Sequence, residues 1–377
     1  MVRDGDGSVT ADAGGPRAPD YTGACVSNVV PALLRPPEVR PDWLPAEAHR
    51  AEQVVLLVLD GLGWEQIQER ARMAPTLLGM SGGPITTVAP TTTASGLTSI
   101  AVGVPPGEHG VVGYRIATHG SILNVLRWRT GDGDARRSVV PTDFQPIEPF
   151  LGQRPPVVTR ADFTESGFTQ AHLRGTRWHP WRVPSTLVAE VVLLIRSGEP
   201  FVYAYYDGID KVAHDNGLAI HYEAELRFVD RMVTSILDLL PDGTALVVTA
   251  DHGQVQTGDA VVSPDPAVLE LTASQSGEAR FRWLHARPGR AEELLTRAQE
   301  CHGDQAWVFD VDTLVADGWL GPVVRSPARA RLGDVALVAK GNLAFDDPAD
   351  TGPVPLIGRH GSVTDAEVLV PLVAARA

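Results

Sequence analysis

The sequence predicts an α/β sandwich built on a central, mostly parallel sheet flanked by helices, with a small α+β insertion. Three observations carry this. Short, continuous runs of apolar and β-branched residues recur along the chain, the mark of strands buried on both faces. Each run ends in acidic residues and glycine, and stretches of helical character lie between the runs. Strands alternating with helices are the pattern of a parallel sheet with covered faces.

In chain order, residues 1–24 offer little to bury and are expected to fray. Val54-Val-Leu-Leu-Val-Leu59 is the first strand, and Asp60-Gly-Leu-Gly63 turns it into a helix from Trp64 to Met73. The unit recurs with strands over Glu199–Tyr206 and Ala245–Ala250, and with helices over Pro184–Arg196 and Tyr222–Leu240. Residues 115–182, rich in Arg, Gly, Pro and Trp, are expected to form loops and short strands over one end of the sheet. Residues 261–330 differ again: a strand over Ala279–His285, a helix over Ala291–Cys301 and a strand over Ala306–Asp310 suggest a β-α-β insertion. The main sheet is expected to resume at Asp334–Ala339, so that residues 25–260 and 331–377 form the core.

Composition narrows the function. With 377 residues, 44% of them hydrophobic and 21% charged, the chain can bury a large core, as two or three domains or one large domain with insertions. A net charge of −14 disfavours a nucleic-acid polymer or an anionic membrane as partner. Two cysteines, Cys25 and Cys301, are too few for a thiolate cluster, so a bound metal would need His and carboxylate ligands. The polar N-terminus has no apolar segment of the signal-peptide kind and no run of membrane-spanning length follows, so a cytoplasmic location is expected.

In open α/β sheets, ligands gather beyond the carboxyl ends of the strands. Asp60 follows the first strand, Asp207, Asp210 and His214 follow the second, and Asp251 and His252 follow the third; His360 stands in Gly358-Arg-His-Gly-Ser362. Singly, each acid reads as a turn former or helix cap, and Asp210 with His214 as a helical surface pair. Together, they bring metal-ligand types to the same kind of strand end three times, which favours zinc, manganese or iron. Thr91, Thr92 and Thr93 in Pro90-Thr-Thr-Thr-Ala-Ser-Gly96 lead into a helix whose N-terminus favours an anion, and at least one of them is expected to cap it. A hydroxyl there becomes a useful nucleophile only beside a base or metal. Rival phosphate motifs fail: the only lysines are Lys211 and Lys340, so there is no P-loop, and Gln66 stands where a dinucleotide fingerprint needs its third glycine.

Asp60-Gly, Pro90-Thr-Thr-Thr93, Asp210-Lys-Val-Ala-His214-Asp-Asn-Gly217, Asp251-His-Gly253 and His360-Gly come in the order found in the alkaline phosphatase superfamily. The sequence most resembles its type I phosphodiesterase and nucleotide pyrophosphatase branch, especially compact bacterial members, from about residue 50 onward, including Gly107–Tyr114 and Val368–Leu372. The resemblance implies an alkaline-phosphatase-like sandwich and two divalent metal ions, zinc ahead of manganese. It implies one ion held by Asp210, His214 and His360, and the other by Asp60, Asp251, His252 and the nucleophile oxygen. It also implies Thr93 as nucleophile, with Thr92 the alternative, and hydrolysis of a phosphodiester or pyrophosphate bond in a small phosphate ester or nucleotide through a phospho-threonine. Where the branch has an aromatic residue and an Asn after the nucleophile, this chain has Ala94 and Gly96, so Tyr205 and Tyr206 are the candidates for a stacking, substrate-binding face. Two other readings stand beside this one: a phosphomonoesterase on the same site, and a noncatalytic metal-binding protein.

Overall fold

The computed structural model describes residues 15–118, 120–350 and 356–377. Its main sheet has seven strands: β1 (Val54–Leu59), β2 (Ser81–Thr86), β3 (Pro156–Arg160), β4 (Arg177–Trp181), β5 (Phe201–Tyr206), β6 (Ala245–Thr249) and, last in the chain, Leu369–Arg376. The spatial order is β2, Leu369–Arg376, β6, β1, β5, β3, β4. Pairing is parallel from β6 through β1, β5 and β3 to β4, and the last strand alone runs against its neighbours. Every residue of β1, β5 and β6 is buried, as continuous apolar runs require of central strands. The helices that matter for the site are α1 (Thr93–Val102), α2 (Pro184–Arg196), α3 (Gly208–Asn216) and α4 (Ile220–Leu239), with α4 packed on α2 and α3.

A second sheet is antiparallel, with strands β7 (Thr272–Glu278), β8 (Phe281–Ala286), β9 (Ala306–Asp310) and β10 (Val335–Ala339) in the order β7, β8, β10, β9. The strand expected to rejoin the main sheet is therefore the third strand of this one, pairing Val338 with Phe281 and with Trp307. Its run Val-Ala-Leu-Val-Ala is fully buried, and an apolar run signals burial without saying in which sheet. Two further expectations change. Pro156–Arg160 and Arg177–Trp181 extend the main sheet at its edge rather than covering its end, while Arg115–Asp134 supplies a small four-stranded sheet. Of the terminus expected to fray, residues 1–14 lie outside the described residues, and residues 15–24 are strapped down. The Arg17 guanidinium pairs with Asp365, and the Tyr21 hydroxyl donates to the Trp319 carbonyl (2.8 Å) and accepts the Ala89 N–H (3.1 Å). An aromatic ring with hydrogen-bond partners at its tip is enough to anchor a polar segment.

Candidate active site

Parallel pairing of three adjacent strands builds the site. Val58 of β1 lies opposite Thr249 of β6, and Leu59 opposite Tyr206 of β5, so Asp60, Asp251 and the start of α3 emerge side by side. Asp210 and His214 are four residues apart on α3 and share a face. Helix α1 approaches closely because of Gly96, where a Cβ would sit 2.7 Å from the Asp251 carbonyl oxygen. A larger residue there would push the Thr93 turn off the strand ends.

The three histidines are oriented alike. His214 donates its Nδ1–H to the Gly358 carbonyl (2.7 Å), His252 to Gly253 (3.0 Å) and His360 to Thr91 (2.8 Å). Each Nε2 is left with a lone pair, the usual arrangement of metal-binding imidazoles. Those nitrogens point at carboxylates: His214 Nε2 is 3.2 Å and His360 Nε2 3.8 Å from Asp210 Oδ1, while His252 Nε2 is 3.4 Å from Asp60 Oδ1 and 3.5 Å from Asp251 Oδ2. The His252 and His360 rings stack at 3.6 Å. Two overlapping triads result, Asp210/His252/His360 and Asp60/Asp251/His252, each with its ligand atoms within 4.8 Å of one another.

The electrostatics ask for a cation. Asp60 Oδ1 and Asp251 Oδ2 are buried without a hydrogen-bond partner among the described residues. Burial, then Asp251 and Asp210, pushes the Asp60 carboxyl well above its ordinary range, and burial raises Asp251 against the opposing pull of His252. Burial, then His252 and His214, pushes His360 well below the usual imidazole value, which keeps it neutral and able to ligate. Like charges held together out of water need a positive partner or protons. The donor set of carboxylates and neutral imidazoles fits one or more divalent metal ions.

Thr93 opens α1 with its Oγ1 3.1 Å from His252 Nε2. Its neighbours face elsewhere. The Thr91 hydroxyl donates to the Ser362 carbonyl (2.7 Å) and accepts the Gly361 N–H (3.0 Å), and buried Thr92 lies beside Glu278, whose ionised form it favours. Contrary to expectation, the capping position Thr92 makes no side-chain cap bond. Asp207 pairs with Lys211 at 2.5 Å and lies 3.7 Å from Arg160, off the triads. Tyr205 is aimed at Asp60, to which its hydroxyl donates. Tyr206 instead stacks on Trp181 and donates to Glu225 (2.6 Å), so it offers no stacking face beside Thr93. Sequence reasoning missed Gln254, whose amide donates to Asp210 Oδ1 at 2.6 Å; its place two residues after the Asp251-His252 pair is the only hint.

Two cavities open beside Thr93. One, of about 210 Å³, is walled by Phe163, Phe168, Trp178 and Tyr205 and reaches Asp60 and Asp210. The other, of about 630 Å³, brings charged groups to its wall, among them His214, His360, Glu278 and Arg282. Among the described residues no helix is long and apolar enough to cross a membrane.

Comparison with known proteins gives a consistent result. The model of the family described as type I phosphodiesterase / nucleotide pyrophosphatase matches residues 54–363. No curated protein matches the chain in sequence. Among solved structures, murine ectonucleotide pyrophosphatase / phosphodiesterase 5 is similar with a TM-score of 0.64 at 15% identity, over 85% of this chain and 87% of that one. An inactive threonine-to-alanine variant of it, in complex with AMP, is similar at 0.64 and 14%, over 86% and 87%. Phosphonoacetate hydrolase from Sinorhizobium meliloti 1021, in complex with phosphonoacetate, is similar at 0.62 and 17%, over 87% and 91%.

Proposed function

Because the chain belongs to the type I phosphodiesterase / nucleotide pyrophosphatase family, we propose that it hydrolyses phosphodiester or pyrophosphate bonds of small phosphate esters or nucleotides at the Asp/His cluster, through a phospho-Thr93 intermediate. The observation that carries this reading is the pair of overlapping Asp/His triads, with two partnerless buried carboxylate oxygens among their members, whose shared residue His252 holds its Nε2 3.1 Å from the Thr93 hydroxyl. Asp210, His214 and His360 would hold one divalent ion, and Asp60, Asp251 and His252 the other. Such ions lower a hydroxyl's pKa and offset the charge of phosphoryl and leaving oxygens. Zinc as the metal and the cytoplasm as the compartment belong to the same reading.

The chain's own residues do the rest. Thr93 Oγ1 gives up its proton and forms the new bond to phosphorus as the bond to the leaving oxygen breaks, and the leaving oxygen takes up a proton, giving phospho-Thr93 and a free alcohol or phosphate. Water then attacks the same phosphorus, and the threonine oxygen departs and regains its proton. Thr93 stands at the N-terminus of α1, where a helix's first N–H groups and its dipole favour an anionic group. The Gly358, Gly253 and Thr91 carbonyls fix the imidazoles, and Gln254 and Tyr205 fix Asp210 and Asp60. The AMP complex of the murine relative's inactive threonine variant supports both a nucleotide-sized substrate and a threonine nucleophile.

Rates on bis-p-nitrophenyl phosphate and p-nitrophenyl phosphate, before and after exhaustive chelation, test the proposal. A diester preference that vanishes with the metal and returns with zinc is expected. Diester hydrolysis that persists after verified metal loss overturns it, and a monoester preference favours the phosphomonoesterase reading.

A further inference from the structure

The larger cavity holds a charge that the reaction as described does not use. Arg282 lies on β8 of the small sheet, and its side chain is 1% exposed. Nη2 donates to the Phe345 carbonyl at 2.9 Å, which pins the guanidinium. Nε and Nη1 have no hydrogen-bond partner among the described residues. The nearest carboxylate, Asp347, stands 3.8 Å from Nη1, beyond hydrogen-bond reach, and already accepts from Arg115. Two guanidinium groups thus face one carboxylate.

Nearby groups do not correct the imbalance. Burial pushes the Glu278 carboxyl up to about 8, so near neutral pH it mostly keeps its proton. Asp350, half-buried, acts on Arg282 only across a distance, since no hydrogen bond joins them. Arg280, two residues earlier, shows that a buried arginine here can be fully served: it grips the Glu367 carboxylate with two bonds of 2.8 Å and donates to the Leu343 and Gly341 carbonyls. Arg280 reads as a structural tie, and Arg282 as a donor awaiting an acceptor. A buried guanidinium lacking acceptors is costly, and an anion in the cavity would supply them.

We infer that Arg282 reads a second anionic group, a carboxylate or a phosphoryl, carried by the part of the substrate that Thr93 does not attack. The inference rests on the hydrolase reading for the orientation of that substrate. Arg282, Thr93, His214 and His360 line one cavity of about 630 Å³, room enough for a molecule that spans them. The preferred substrate is then a phosphate ester or pyrophosphate bearing a separate negative charge, not a neutral-tailed diester.

Titration calorimetry on the metal-loaded full chain tests this without needing turnover. The probes are propylphosphonate, 3-phosphonopropionate, its amide, and ethylene-1,2-bisphosphonate. Wild type should bind the carboxylate or the bisphosphonate roughly tenfold or more tighter than propylphosphonate and the amide, and the tighter of the two names the anion class. Arg282→Gln should collapse that ratio, and Arg282→Lys should restore part of it. Equal binding of charged and uncharged tails by wild type overturns the inference even if the variants do not fold. A ratio that survives in folded Arg282→Gln overturns it as well. Hydrolysis of bis-p-nitrophenyl phosphate is measured on the same sample, so failure of the reaction and failure of the anion reader are seen separately.

Discussion

His360 donates its Nδ1–H to the main-chain carbonyl of Thr91, 2.8 Å away, so the turn carrying the candidate nucleophile also aims a candidate metal ligand. The Thr91 hydroxyl doubles the link by bonding Gly361 and Ser362, the two residues that follow His360 in the same loop. Residues 269 positions apart in sequence thus form one rigid corner of the site.

Thr91→Val keeps the shape but strands the Ser362 carbonyl and the Gly361 N–H in a buried place. The expected loss is about 1–3 kcal/mol of stability, with weaker metal binding because His360 is no longer held. Urea unfolding and metal titration of the variant measure both, and Thr91→Ser should recover most of each. Unchanged stability in Thr91→Val would mean the hydroxyl does not tie the two loops together.

That these Asp and His residues meet at one end of the sheet was legible in the sequence, because residues at strand ends and at helical spacing follow backbone rules. Asp60, Asp210, His214, Asp251 and His252 are all placed by three parallel strands and one helix. What the sequence hid depends on side-chain reach. Gln254 and Arg282, and the bond by which Tyr205 holds Asp60 instead of offering only a stacking face, act through contacts across separate elements, and no local periodicity encodes those. Gly96 reads as a departure from the family pattern until its distance to Asp251 shows that no side chain fits. Val335–Ala339 was legible as a strand but not as a member of the second sheet.

Metal removal should destabilise the protein, since Asp60 and Asp251 then face each other without a counter-charge. Zinc added at about one hundred times its dissociation constant is expected to stabilise the fold by roughly 3 kcal/mol for each site filled. Differential scanning calorimetry of stripped and reloaded protein reads this directly. A melting temperature indifferent to zinc would count against a metal at these carboxylates.

Asp210 and Asp207 should separate cleanly. Asp210 Oδ1 meets His214, His360 and Gln254, whereas Asp207 pairs with Lys211. Asp210→Asn is expected to empty one metal site and cut activity by orders of magnitude, and Asp207→Asn to lower activity only a few-fold. Elemental analysis of both variants decides, and the opposite order of metal loss would reverse the assignment.

Glu278 gives stability a pH dependence whose sign is fixed. Its carboxyl titrates near 4.5 when unfolded and at about 8 in the buried site, so between these values the folded chain holds a proton that the unfolded chain has lost. Its contribution is fully present below about 4.5 and is lost as pH rises through about 8. Wild type should therefore lose up to a few kcal/mol relative to Glu278→Gln between pH 5 and pH 9. Urea unfolding of both proteins at the two pH values measures the difference. A gap that does not change with pH would show that Glu278 is already ionised at the lower value.

Thr93, rather than Thr91 or Thr92, should carry the phosphoryl group during turnover. Successive residues entering a helix point about 100° apart, so three adjacent hydroxyls cannot share one target. The structure divides them: Thr91 bonds the His360 loop, Thr92 lies beside Glu278, and Thr93 lies 3.1 Å from His252 Nε2. Thr93→Ala should lower kcat by several orders of magnitude while the fold and bound metal persist, because the covalent route is lost and binding survives. Acid quench during turnover, followed by mass spectrometry of the peptide, locates the phosphate. Phosphate on Thr92 would move the nucleophile by one residue and require that buried side chain to turn away from Glu278. Its absence from all three threonines, with activity retained in Thr93→Ala, would replace the covalent intermediate with direct attack by water.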